Sequence, residues 1–148
     1  EESKFYIGSR SSTGAQGLMQ LMPKTAQMIS YEINLPYLPK RLRVDWEYNV
    51  KLGSHYIRKL LKRYDNSYPL ALAAYNAGPS RVNSWLKLYG DPRTDEIEIL
   101  SWIQCIPFDE TRGYVSRVLA SMNIYKGILY GERFVSNYLD NNFFVPRE

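Results

Sequence analysis

The sequence predicts an all-α protein. Three observations carry that prediction. Apolar residues recur at spacings of three and four in two long segments, no run alternates apolar and polar residues as a strand would, and residues that start and stop helices stand at the segment ends. A chain of 148 residues can bury a continuous core without disulfides or metals, so one domain over 1–148 is expected.

Taken in order, Gly8 to Gly17 (GSRSSTGAQG) is small, polar and glycine-rich, which marks a loop that approaches something closely. Pro23 suits a first helical turn and opens a helix through Ala26 and Ile29. Leu35 to Arg43 holds Pro36 and Pro39 and is expected to be extended. Asp45 can then cap a long helix with Trp46, Val50, Ile57, Leu60, Leu61 and Tyr64 as its inner stripe; the basic run Arg58 to Arg63 falls on its wet face. A shorter helix follows from Pro69 to about Asn76, rich in alanine so that another element can pack closely, and Gly78-Pro79 stops it. Ser80 to Tyr89 places Val82, Trp85, Leu86 and Tyr89 on one helical face. After a turn at Gly90-Asp91-Pro92, a brief apolar helix around Ile97 to Ile103 leads to Ile106-Pro107-Phe108. Asp109 can cap the last long helix, with Val115, Val118, Leu119, Met122, Tyr125 and Leu129 inward, and Gly131 ends it. Phe143 and Phe144 in the tail are expected to dock on the domain or on a neighbour.

The net charge of +4 is compatible with an anionic partner, but no nucleic-acid recognition motif accompanies it, and nucleic acid is not an expected partner. The 13 Tyr, 5 Phe and 3 Trp supply flat faces with polar tips, which suit sugar recognition as well as cores. No stretch approaches the roughly 20 apolar residues of a membrane span, so no transmembrane segment is expected, and no export signal is visible. Cys105 is alone and has the apolar context of a buried thiol; His55 is alone, and no carboxylate loop has calcium spacing, so neither metal nor cofactor is expected.

Cleavage of a glycosidic bond needs an acid for the departing oxygen, and a carboxyl serves near neutral pH only when burial raises its pKa. Two carboxyls keep apolar and aromatic company: Glu2, near Phe5 and Tyr6 before the polar loop, and Glu110, after Phe108. Their chemistry alone leaves both open.

Four segments bear on the choice: Glu2-Ser3-Lys4-Phe5, Gly17-Leu18-Met19-Gln20-Leu21-Met22-Pro23, Ala74-Tyr75-Asn76-Ala77-Gly78-Pro79, and Ile106-Pro107-Phe108-Asp109-Glu110-Thr111-Arg112-Gly113-Tyr114-Val115. Together, in this order and at about these intervals, they resemble the soluble lytic transglycosylases, over Glu2 to about Tyr130. The resemblance implies a lysozyme-like, goose-type helical fold and a lyase that cleaves the bond between N-acetylmuramic acid and N-acetylglucosamine in peptidoglycan, leaving 1,6-anhydromuramyl ends. It implies that Glu2 is the sole catalytic carboxyl, acting as acid and then as base. Ser11, Gln20 and Met22 would line the cleft, Tyr75 and Asn76 would hold the glutamate or the N-acetyl group, and Tyr125 would stand at the cleft from the last helix. Glu110 and Arg112 are expected to form a structural ion pair and helix cap.

The Ile-Pro-Phe-Asp-Glu-Thr-Arg segment points to the large soluble enzymes, so an N-terminal helical domain is an expected partner and the chain an expected C-terminal fragment. Location in the periplasm or cell envelope follows from the resemblance and the substrate. One departure is Gln104, where many relatives have glutamate, which bears on substrate preference. Two other functions fit the same residues: a goose-type lysozyme-like hydrolase, and a non-catalytic glycan-binding domain.

Overall fold

Proline at a first helical position loses nothing by lacking an N–H and arrives with its φ already helical; two of the helices begin in this way, and a third has proline at its second position. The structure, a computed structural model, describes residues 6–130. Among them are α1 (Pro23–Glu32), α2 (Arg41–Val44), α3 (Trp46–Arg63), α4 (Tyr68–Ala77), α5 (Pro79–Tyr89), α6 (Ile99–Cys105) and α7 (Asp109–Tyr130), with two isolated bridges and no strand. The chain clusters into two compact units, Glu1–Lys59 and Leu60–Glu148. Gly131, Phe143 and Phe144 lie outside the described residues.

In the first unit, α1 buries Ala26 and Ile29 and ends where Asn34 turns left-handed, its last carbonyls taken by Ile33, Asn34 and Leu35 N–H groups. The Leu35 to Arg43 segment is not extended throughout: Arg41–Val44 closes one turn of helix, with the Asp45 N–H donating to Arg41 O at 2.9 Å. Tyr48 secures the rest, its hydroxyl donating to Pro36 O and accepting from Leu38 N. Asp45 caps α3 as the sequence predicts: its Oδ1 accepts the Tyr48 N–H at 2.9 Å, and the Arg41 guanidinium also binds its carboxylate. The buried stripe of α3, however, is Tyr48, Asn49, Leu52, Tyr56, Leu60 and Tyr64, with Trp46 half exposed and Val50 and Ile57 at the margin. Only Leu60 and Tyr64 of the expected stripe are fully buried.

In the second unit, α4 is apolar on every side and buries Pro69 through Ala74. Its alanines let α5 and α7 both pack against it. Gly78, at φ 93, turns the chain between α4 and α5. The Tyr64 hydroxyl donates to Asn83 Oδ1 at 3.1 Å and tethers the start of α5. Trp85 of α5 stands edge-on to both Trp102 of α6 and Phe108, with centroids 6.5 and 5.5 Å away. The Arg112 guanidinium donates to Ile106 O at 2.8 Å, and its acidic partner is Asp109 rather than the expected Glu110. Asp109 itself lies inside the first turn of α7, so its carboxylate meets the positive end of the helix from within.

Candidate active site

The site residues predicted from sequence fall into two groups, one in each unit, and Glu2 lies outside the described residues. The rival acid, Glu110, is exposed in the first turn of α7. It lacks the apolar enclosure that the reading from sequence asks of a general acid.

Ser11, Gln20 and Met22 share the loop ahead of α1. Its backbone is woven by Ser11 N to Ala15 O, Gly17 N to Ser9 O, and a reciprocal pair between Gln16 and Leu21, each at about 3 Å. The Ser11 hydroxyl accepts the Ala15 N–H at 2.9 Å and bonds the Thr13 hydroxyl at 2.8 Å, so it is engaged in shaping the loop. Gln20 sits at φ 43, an uncommon backbone for a residue with a side chain. Its Nε2 donates to Gly17 O at 2.8 Å and Ser9 O at 3.2 Å. With both amide protons so used, what Gln20 can offer a ligand is its Oε1, an acceptor suited to a sugar hydroxyl or an N-acetyl N–H. Met22, the residue ahead of Pro23, is 44 % exposed, and its thioether forms an adaptable apolar contact surface.

Tyr75 and Asn76 stand together at the end of α4, Tyr75 half-buried and Asn76 exposed. The Asn76 Oδ1 accepts the hydroxyl proton of the buried Thr111, on the first turn of α7, at 2.6 Å. At the other end of α4, the Lys126 ammonium lies 5.9 Å from the centre of the Tyr68 ring, so α4 and α7 run antiparallel. Tyr125 therefore belongs to the far end of the pair. It is 56 % exposed and stands about 20 Å along α7 from Thr111, at about 1.5 Å per residue. The structure does not bring it to Asn76. The α7 tyrosine one turn from Thr111 is Tyr114, which is buried.

Two polar residues not anticipated from sequence hold these groups. Thr111 fixes the amide of Asn76, and Asn49 of α3 accepts the Met19 N–H at 2.8 Å while donating to Gln16 O and Leu42 O. The Thr111-x-x-Tyr114 spacing, which sets both residues on one face of α7, was a readable signal for the first.

The described residues thus form an all-helical frame that carries a glycine-rich loop and a helix-end Tyr-Asn pair. The family model for the transglycosylase SLT domain matches residues 1–98, and the chain belongs to that family. It is 36% identical over 127 residues to the soluble lytic murein transglycosylase of Escherichia coli, covering 85% of this chain and 19% of that protein. Among solved structures, the 70 kDa soluble lytic transglycosylase of E. coli superposes with a TM-score of 0.83 at 33% identity, over 99% of this chain and 23% of that one. An inactive glutamate-to-glutamine mutant of the lytic transglycosylase Slt of Pseudomonas aeruginosa gives 0.77 at 40% identity, over 91% and 21%. The fold is thus lysozyme-like, and the chain spans about a fifth of the length of the curated relatives it matches.

Proposed function

We propose that this chain is a single catalytic domain that cleaves peptidoglycan glycan strands as a lytic transglycosylase, with Glu2 as its one catalytic carboxyl. The observation that carries the reading is the match of residues 1–98 to the transglycosylase SLT domain, a span that includes Glu2, the Gln20 loop and the Tyr75-Asn76 pair. The inactivity of the P. aeruginosa enzyme bearing a glutamate-to-glutamine exchange supports a carboxyl as the working group.

In this mechanism the Glu2 carboxyl protonates the oxygen that leaves C1 of N-acetylmuramic acid as the glycosidic bond breaks. The resulting carboxylate then takes the proton of the C6 hydroxyl of the same sugar as that oxygen bonds to C1. Glu2 ends as it began, and the product carries a 1,6-anhydro ring. One carboxyl suffices because the nucleophile is intramolecular and already near C1, so no second carboxylate is needed to activate water. Gln20 Oε1 and the Asn76 amide supply neutral polar contacts suited to N-acetyl groups and hydroxyls. Ser11, Met22 and Tyr75 complete the proposed set of substrate-binding positions around the bond that is cut, from which the far end of α7 sets Tyr125 apart. No helix among the described residues is long and apolar enough to cross a membrane. The place of action follows from the substrate: the periplasm or cell envelope. A helical domain N-terminal to this one is the proposed partner within the full protein.

The test is mass spectrometry of cell wall digested by the full protein. A muramyl end lighter by one water than a reducing end is expected, and a reducing end would instead establish a goose-type hydrolase. Glu2→Gln is expected to slow release of soluble fragments by about 10²- to 10⁴-fold, the usual contribution of a general acid–base group. Release at the parent rate would remove Glu2 from the mechanism. Binding of glycan with no release by the parent would leave a binding domain.

A further inference from the structure

Asn49 lies on the buried stripe of α3 and has no exposed surface. An amide in that position costs stability unless its hydrogen bonds are made, and an aliphatic side chain would serve packing more simply. All three of its strong bonds leave its own helix. Its Oδ1 accepts the Met19 N–H at 2.8 Å, and its Nδ2 donates to Gln16 O at 2.9 Å and Leu42 O at 3.0 Å. The loop is built to admit that amide: a Cβ added to Gly17 would stand 2.1 Å from Leu42 O and 2.2 Å from Asn49 Nδ2, and Gly17 has φ 75. The bonds from Asn49 land on Gln16 and Met19, on either side of the Gly17 carbonyl that the Gln20 side chain clamps.

We propose that Asn49 is a positioning residue for glycan cleavage: from inside the first unit it holds the backbone that sets Gln20, without touching the substrate. The proposal rests on the transglycosylase reading above. A residue that only stabilised the fold would, when replaced, lower the unfolding midpoint and leave kinetics unchanged wherever the protein is still folded. A positioning residue changes kcat/KM in the folded protein.

The experiment uses the full chain with Asn49→Ala and Asn49→Asp. The aspartate keeps the shape but turns an acceptor toward two carbonyl oxygens. Hydrogen exchange at the Met19 amide and initial rates of fragment release are measured at a temperature where circular dichroism shows each variant folded. In Asn49→Ala, which removes its acceptor, the Met19 amide is expected to exchange at least about tenfold faster, as loss of one hydrogen bond implies. The expected fall in kcat/KM is about 10- to 100-fold, and adding Gln20→Ala to Asn49→Ala should cost little more. Parent kinetics in a folded variant, or a Gln20→Ala effect fully additive with Asn49→Ala, would overturn the proposal. If Asn49→Ala does not fold, Asn49→Ser, which can keep one bond, is read by the same criteria. Absence of release by the parent chain would defeat the transglycosylase reading instead, a result separable from failure of the Asn49 variants alone.

Discussion

Thr111 is 3 % exposed, yet its hydroxyl proton goes to Asn76, whose own side chain is open to solvent. The bond therefore does more for orientation than for burial. Thr111→Val keeps the volume and removes the donor, and water can replace it at Asn76, so the stability loss should stay at about 0.5–1.5 kcal/mol in urea unfolding. The amide of Asn76 would then lose its fixed orientation. Glycan release is expected to fall by about tenfold or more, beyond what the stability change explains, and Thr111→Ser, which restores the hydroxyl, should recover most of it. A Thr111→Val protein as active as the parent would show that Asn76 needs no such support. Gln20 follows the same logic on the other group of residues, since its Nε2 is committed to Gly17 O and Ser9 O and its Oε1 is the part that can face a ligand.

Among the elements, the junction of α4 and α5 places the sharpest demand on sequence. Gly78 has φ 93 and ψ 146, a backbone region essentially reserved for glycine, while a Cβ added there would meet nothing within 4 Å. Strain, not collision, is the penalty. Gly78→Ala and Gly78→Ser should therefore each lose a similar amount, about 1–3 kcal/mol, in equilibrium unfolding. A clearly larger loss for the bulkier residue would mean that space matters after all. This junction was legible from Gly78-Pro79 alone, as was the start of α1 at Pro23 and the cap at Asp45, because each is a local chemical signal. The single turn of α2 was not, since four residues carry no period to read among prolines. The stripe of α3 differs from the expected one because Trp46, apolar by type, is half exposed, whereas Asn49, polar by type, is buried by bonds that reach residues 30 and 33 positions away. The partner of Thr111, 35 positions away, was hidden in the same way. The distance between Tyr125 and Asn76 depends on which end of α7 meets the end of α4, and helical periodicity cannot supply that.

Across the whole molecule, two sets of groups bound the pH range in which the folded state is favoured. The Arg93 guanidinium, bonded to both oxygens of Asp91, holds that carboxyl below its ordinary range, and Arg93 also reaches Asp65 at 2.7 Å. Asp45 is lowered chiefly by the Tyr48 N–H it accepts and then by Arg41. A carboxyl whose pKa is lower folded than unfolded favours the folded state above its unfolded value, and that contribution disappears as pH falls through the folded one. Tyr64 and Tyr37 act at the opposite end. Burial raises both hydroxyls, and for Tyr64 the neutral form is the one that donates to Asn83 Oδ1. Their contribution is complete below the ordinary tyrosine range and is lost as pH rises through the raised values. The melting temperature should therefore be level from about pH 5 to pH 9 and fall on both sides. Asp91→Asn should make the acid limb shallower and leave the alkaline limb as it is, whereas Tyr64→Phe should do the reverse, both followed by thermal unfolding in a series of buffers. If Asp91→Asn lowered the melting temperature equally at every pH, the Arg93 pair would be contributing through shape alone, and the acid limb would have to come from other carboxylates.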